Sequence, residues 1–145
     1  MTVVNSSIVI NASREEVDQI AVHTPSRVPE WFPGIQTFEP DNIYPAVGGK
    51  VKVKYKASGI TFDITITVLE YEPLVKFVQE MDGMISGVQT WTYGDAAGGT
   101  QVNVSFDYHM PGGGVGKIVD KLIVERINKQ NIEKSVENLK AVVEG

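Results

Sequence analysis

The chain has 145 residues, no cysteine and a net charge of −5 at pH 7. The missing cysteines exclude disulfides, thiolate metal sites and cysteine nucleophiles, and the acidic balance argues against a nucleic-acid binder, whose footprint is basic. The length suits a single domain spanning residues 1–145, and no apolar run reaches membrane-spanning length.

The opening, MTVVNSSIVINAS, lacks the basic segment and apolar core of a secretory signal, so a cytoplasmic location is expected. Residues 3–11 read as a strand with Ser6, Ile8 and Ile10 on one face. Ser13-Arg14-Glu15-Glu16 is a Ser-x-x-Glu capping box, whose hydroxyl and carboxylate satisfy the free amides at a helix start. The helix it opens, with Val17, Ile20 and Ala21 inward, ends by Thr24 because Pro25 biases the preceding residue away from helix. His23 falls at that end, where the helix dipole favours a cation. A second helical turn is expected over residues 27–32, closed by Pro33-Gly34.

From Ile35 the pattern changes to period two. Val51, Val53, Tyr55 and Ala57 alternate with Lys50, Lys52, Lys54 and Lys56, and Ser58-Gly59 reads as a hairpin turn. In the next strand Phe62, Ile64, Ile66 and Val68 oppose Thr61, Asp63, Thr65 and Thr67. After a break at Glu72-Pro73, strands are expected over residues 75–81, 85–93 and 101–110, with turns at Asp82-Gly83 and Gly98-Gly99. The last places Val102, Val104, Phe106 and Tyr108 on one face, and Asp107 with His109 on the other.

The tail, residues 115–143, has helical spacing at Val115, Ile118, Val119, Leu122 and Ile123, then at Ile132, Val136, Leu139 and Val143. A continuous helix there would be roughly 43 Å long. Its stripe is interrupted near Arg126, Lys129 and Gln130, which is read as drift of the stripe along a curved helix. Strands joined by tight turns pair antiparallel. The order gives an α+β domain, with a curved sheet around the only helix long enough to fill it.

Several stretches together resemble the START-like, or Bet v 1-like, superfamily, the polyketide cyclase/dehydrase and lipid-transport group also written SRPBCC. They are residues 10–17 (INASREEV), residues 30–35 (EWFPGI), Glu70-Tyr71-Glu72-Pro73, Trp91-Thr92-Tyr93 with Gly98-Gly99-Thr100, and residues 132–140 (IEKSVENLK). Where the usual pattern has tryptophan after the helix's valine, this chain has Asp18. The resemblance implies a helix-grip fold: a seven-stranded curved antiparallel sheet around a long C-terminal helix, with two short helices after the first strand. It also implies an internal cavity for a hydrophobic or amphipathic small molecule or lipid, with no cofactor.

On that reading the cavity wall includes Trp31, Tyr55, Phe62, Ile64, Phe77, Gln89, Trp91, Tyr93, Phe106 and Tyr108, with Leu122 and Arg126 from the tail helix. Trp31 and Phe32 are expected as a lip over its mouth, and residues 111–114 as a tight turn or a gate. No phosphate-loop or dinucleotide pattern is met, since Pro111, Lys117 and Ile118 break both. Neither histidine has metal-ligand spacing, and no catalytic residue is assigned. The lysine row at 50–56 reads as a solvated face that also blocks edge pairing. Two alternatives to simple binding stand: a polyketide cyclase or aromatase-like enzyme, and a lipid carrier that docks on membranes through the lysine row.

Overall fold

The computed structural model describes residues 2–110 and 121–145. Strand β1 (Thr2–Ile10) is followed by helix α1 (Arg14–Ala21), a 3-10 turn at Pro25–Arg27 and the one-turn helix α2 (Val28–Trp31). Then come β2 (Ile35–Pro40), β3 (Lys50–Ala57), β4 (Ile60–Glu72), β5 (Lys76–Gly83), β6 (Ser86–Ala96) and β7 (Gly99–His109), and α3 (Lys121–Glu144) ends the described chain. All neighbouring strands pair antiparallel, in the order β1-β7-β6-β5-β4-β3-β2. Strands β1 and β2 are consecutive yet sit at opposite edges, so α1 and α2 must cross the sheet's inner side to connect them.

The period-two patterns set which face is inside. On β3 burial alternates without error, with the four lysines exposed and Val51, Val53, Tyr55 and Ala57 buried. Ser58 and Gly59 carry φ of 53° and 77°, the positive pair that a two-residue primed hairpin turn needs. The turn expected at Asp82-Gly83 instead lies at Met84 and Ile85. Gly83 continues β5 at φ +125°, and a Cβ there would lie 2.6 Å from Asp63 O, so only glycine fits against β4.

Helix α1 starts as the capping box requires, with Ser13 accepting from the Glu16 amide. Arg14 then fixes it over one end of the sheet, donating to Leu74 O and to Asp95 Oδ1, each at 2.9 Å.

On α3 the inward face is Val124, Asn128, Ile132, Ser135, Val136 and Leu139. Ile132, Val136 and Leu139 lie inward as expected, and the first half of the expected stripe is corrected. Leu122 is 73% exposed, Ile123 is 45% exposed, and Arg126, Lys129 and Gln130 are exposed as well. At about 100° per residue, Leu122 and Arg126 each lie about 200° around the helix from Val124, so they point away from the sheet. The remaining expected positions, Val115, Ile118, Val119 and the glycines at 112–114, lie outside the described residues.

Three side-chain bonds hold α3 along the edge strand β1: Thr2 Oγ1 to Glu125 Oε1 at 2.9 Å, Lys140 Nζ to Val9 O at 3.0 Å, and the Asn11 amide to Glu144 Oε2 at 3.0 Å. The lengths agree. From Glu125 to Glu144 the helix rises about 28 Å, and from Thr2 to Asn11 the strand spans about 30 Å.

Candidate functional site

The inward faces do not meet everywhere. Between the sheet and α3 lies a cavity of about 90 Å³, counted as space that the centre of a water-sized sphere can reach. One water needs about 10–15 Å³ on that measure, so the space holds more than a few waters. Its wall is made by β2 to β7 together with α1, α2 and α3, and most of it is apolar: Val28, Trp31, Phe32, Phe38, Ile64, Ile66, Phe77, Met81, Trp91, Phe106 and Ile132. The aromatic groups brace one another. Trp31 packs edge-on to Trp91, their centroids 5.8 Å apart, and Phe32 lies 5.9 Å from Phe106. Gly34 permits this approach of α2, since its φ is +91° and a Cβ would fall 2.5 Å from the Tyr55 ring.

Polar groups interrupt the wall at two places. On the α3 side, Tyr55 Oη donates to Asn128 Oδ1 at 2.7 Å and accepts from Asn131 Nδ2 at 2.9 Å, and Asn128 Nδ2 donates to Tyr108 Oη at 3.1 Å. Burial pushes the Tyr55 phenol up to about 12, opposed by the Asn131 bond. Tyr108 is raised by burial too, opposed by the bond from Asn128. Nearby, Trp91 Nε1 donates to Gln89 Oε1 at 2.8 Å.

On the α1 side stands a buried carboxylate. Asp18 is only 4% exposed. Its Oδ1 accepts from Tyr93 Oη at 2.8 Å, and its Oδ2 accepts from Tyr71 Oη at 2.9 Å. His23 Nε2 lies 3.1 Å from Oδ2 and 2.9 Å from Tyr71 Oη. The Tyr71 hydrogen is committed to Asp18, and a carboxylate has none to give, so Nε2 of His23 must carry a hydrogen. Tyr44 completes this end, donating to Val22 O at 3.0 Å. Burial raises the pKa of Tyr93, Tyr71 and Tyr44, and the charge of Asp18 raises each further. These phenols stay protonated across the physiological range.

Nine of the residues expected in the wall are there: Trp31, Tyr55, Ile64, Phe77, Gln89, Trp91, Tyr93, Phe106 and Tyr108. Three are not. Phe62 is fully buried but packs against the Tyr55 ring at the hairpin end of β3 and β4, outside the wall. Leu122 and Arg126 face away, as the phase of α3 dictates. Trp31 and Phe32, expected as a lip, are 4% and 8% exposed and form part of the wall itself. His23, expected to serve the helix dipole, is bonded to Asp18 instead.

The reading of the sequence missed Asp18, Tyr44, Tyr71, Asn128 and Asn131. Two signals for them were present. Asp18 shares a helix face with Ala21 and Val22, and Asn128 sits four residues from both Val124 and Ile132. Both are polar residues at inward positions. Among the described residues, no cluster of His, Asp and Glu is placed to hold a metal ion, and no helix is long and apolar enough to cross a membrane.

A family model described as "Polyketide cyclase / dehydrase and lipid transport" matches residues 1–144. No curated protein sequence matches the chain. Among solved structures it is similar to TTHA0849 from Thermus thermophilus, at 18% identity and a TM-score of 0.81, covering 98% of this chain and 97% of that one. It is similar to the Zhui aromatase/cyclase from Streptomyces sp. R1128, at 13% identity and a TM-score of 0.80, covering 99% and 93%. It is also similar to Ara h 8.0201, at 15% identity and a TM-score of 0.72, covering 98% and 97%. At these identities the likeness establishes the fold, which is the helix-grip fold.

Proposed function

We propose, from the premise that this chain belongs to the polyketide cyclase/dehydrase and lipid transport family, that it binds a hydrophobic or amphipathic small molecule between its sheet and α3. Desolvation of the guest drives binding, at roughly 25 cal/mol per Å² of apolar surface removed from water. The observation that carries the amphipathic part is the wall itself, apolar over most of its extent but interrupted by Tyr44, Tyr55, Gln89, Tyr93, Tyr108 and Asn128. A few polar groups in an apolar wall orient the polar end of a guest while the rest of its surface is covered. Native mass spectrometry of freshly purified protein, followed by identification of what is released, tests the reading. A stoichiometric, non-covalent small molecule supports it; protein that carries no guest and takes up none of a panel of apolar molecules contradicts it.

One observation favours a second reading, a polyketide cyclase or aromatase-like enzyme: the carboxylate of Asp18 reaches the cavity through Tyr93. Such a pair can accept a proton from an enolisable ketone, the Tyr93 hydrogen moving to Asp18 as the guest's proton reaches Tyr93 Oη. On this reading a poly-ketone probe is converted, and Asp18→Asn lowers the rate at which the bound probe reacts. Recovery of the probe unchanged refutes it.

A further inference from the structure

The two phenols at the α1 end of the cavity have their hydrogens already engaged. Tyr44 Oη lies 3.0 Å from Val22 O, a carbonyl that can only accept, so the Tyr44 hydrogen is directed at it. Tyr93 Oη lies 2.8 Å from Oδ1 of Asp18, whose other oxygen takes bonds from Tyr71 and His23. A carboxylate surrounded by donors accepts and does not give, so the Tyr93 hydrogen is fixed on Oδ1. Both tyrosines stand in the cavity wall. Each can offer a guest only the lone pairs of its oxygen. Because burial and Asp18 hold Tyr93 protonated, those lone pairs belong to a neutral phenol and not to a phenolate.

We propose that this end of the cavity selects an apolar guest bearing a hydroxyl or phenol group, which donates its one hydrogen to the oxygen of Tyr93, or in part to that of Tyr44, while Asp18 is the positioning residue that fixes both the orientation and the acceptor sense of Tyr93. The proposal rests on the reading that the cavity takes a guest, and it adds the chemical class. A ketone, ether or ester oxygen placed here meets lone pairs with lone pairs, and a carboxylate guest also meets the charge of Asp18. An ammonium group donates as well, but desolvating a full charge in this apolar wall is costly.

The test compares three probes at neutral pH: 4-bromophenol, 4-bromoanisole and bromobenzene. Both tryptophans of the chain, Trp31 and Trp91, line the cavity, so bromine quenching of their emission reads binding, with calorimetry as the cross-check. The wild type is expected to bind 4-bromophenol about tenfold more tightly than 4-bromoanisole, the ratio that one net hydrogen bond carries. Tyr93→Phe brings the ratio to about twofold or less, with the anisole affinity held. Tyr44→Phe, which leaves Asp18 and its partners untouched, lowers it in part. Asp18→Asn presents an amide hydrogen to Tyr93, frees the phenol hydrogen toward the cavity and shifts preference to the anisole.

Equal affinity for the phenol and the anisole in the wild type, with bromobenzene bound, overturns this inference alone. A ratio that survives both tyrosine variants does the same. If bromobenzene itself fails to bind, the cavity reading falls and takes this inference with it.

Discussion

Asp18 is where a change of one atom should tell most. Three donors, from β4, β6 and the loop after α1, converge on its two oxygens, and their other choices are few because the group is buried. Asp18→Ala leaves Tyr93, Tyr71 and His23 without their acceptor, and we expect it to lower unfolding stability by about 2–4 kcal/mol. Asp18→Asn keeps the shape and one acceptor and should cost less. Urea denaturation monitored by circular dichroism measures both, and equal, negligible losses would show that the cluster contributes nothing to the fold.

Tyr55 makes a second claim at this scale, through pH. Burial moves its phenol from the ordinary 10.0 to about 12, so the folded state holds the proton more tightly than the unfolded chain does. Its contribution is therefore complete below pH 10, and it is lost as pH rises through about 12. At 1.36 kcal/mol per pKa unit the loss is about 3 kcal/mol. Tyr44, Tyr93 and Tyr108 are raised as well and add in the same direction. Stability curves at stepped alkaline pH should fall across this window, and Tyr55→Phe should fall less steeply than the wild type. Parallel curves would contradict the assignment.

Among the elements, α3 separates what the pattern could reveal from what it could not. Its apolar spacing is enough to announce a helix, and period two is enough to announce β3, β4 and β7 with their inward faces. Phase was harder to read. Leu122 and Ile123 look like core residues by type, yet the inward face runs through Val124, Asn128 and Ile132, where an asparagine interrupts the apolar row. That asparagine is inside because Tyr55 and Tyr108, brought over from β3 and β7, satisfy its amide. We expect Leu122→Ser and Arg126→Ala to leave guest affinity within about twofold, since neither side chain reaches the cavity. Asn128→Ala removes the partner of two buried phenols and should lower stability by about 1–3 kcal/mol. Calorimetric titration of the three variants with one probe checks the phase directly. A strong affinity loss in Arg126→Ala would place that side chain inside after all.

At the scale of the whole molecule, the fold was legible and the Asp18 cluster was not, for one reason. Strand alternation is local, so neighbouring residues announce it. The Asp18 cluster is assembled by topology: Tyr71 and Tyr93 lie 53 and 75 residues along the chain from the carboxylate they bond. Nothing in the sequence around Asp18 records their approach. Only its position, an acid on the α1 face shared by Ala21 and Val22, hints that something must meet it. The same topology creates the hollow. β1 and β2 lie at opposite edges, α1 and α2 bridge them, and α3 is anchored along β1, leaving space under the bridge where the aromatic wall stands.

That space is the centre of the account, and the chain carries its own reporter, since both tryptophans line it. Titration with bromobenzene, followed by tryptophan emission in the wild type and in Ile132→Phe, whose larger ring narrows the cavity, measures it most directly. Saturable quenching with one site per chain is expected in the wild type, and weaker binding in the narrowed variant. Linear, unsaturable quenching that is the same in both proteins would mean that the interior admits no guest.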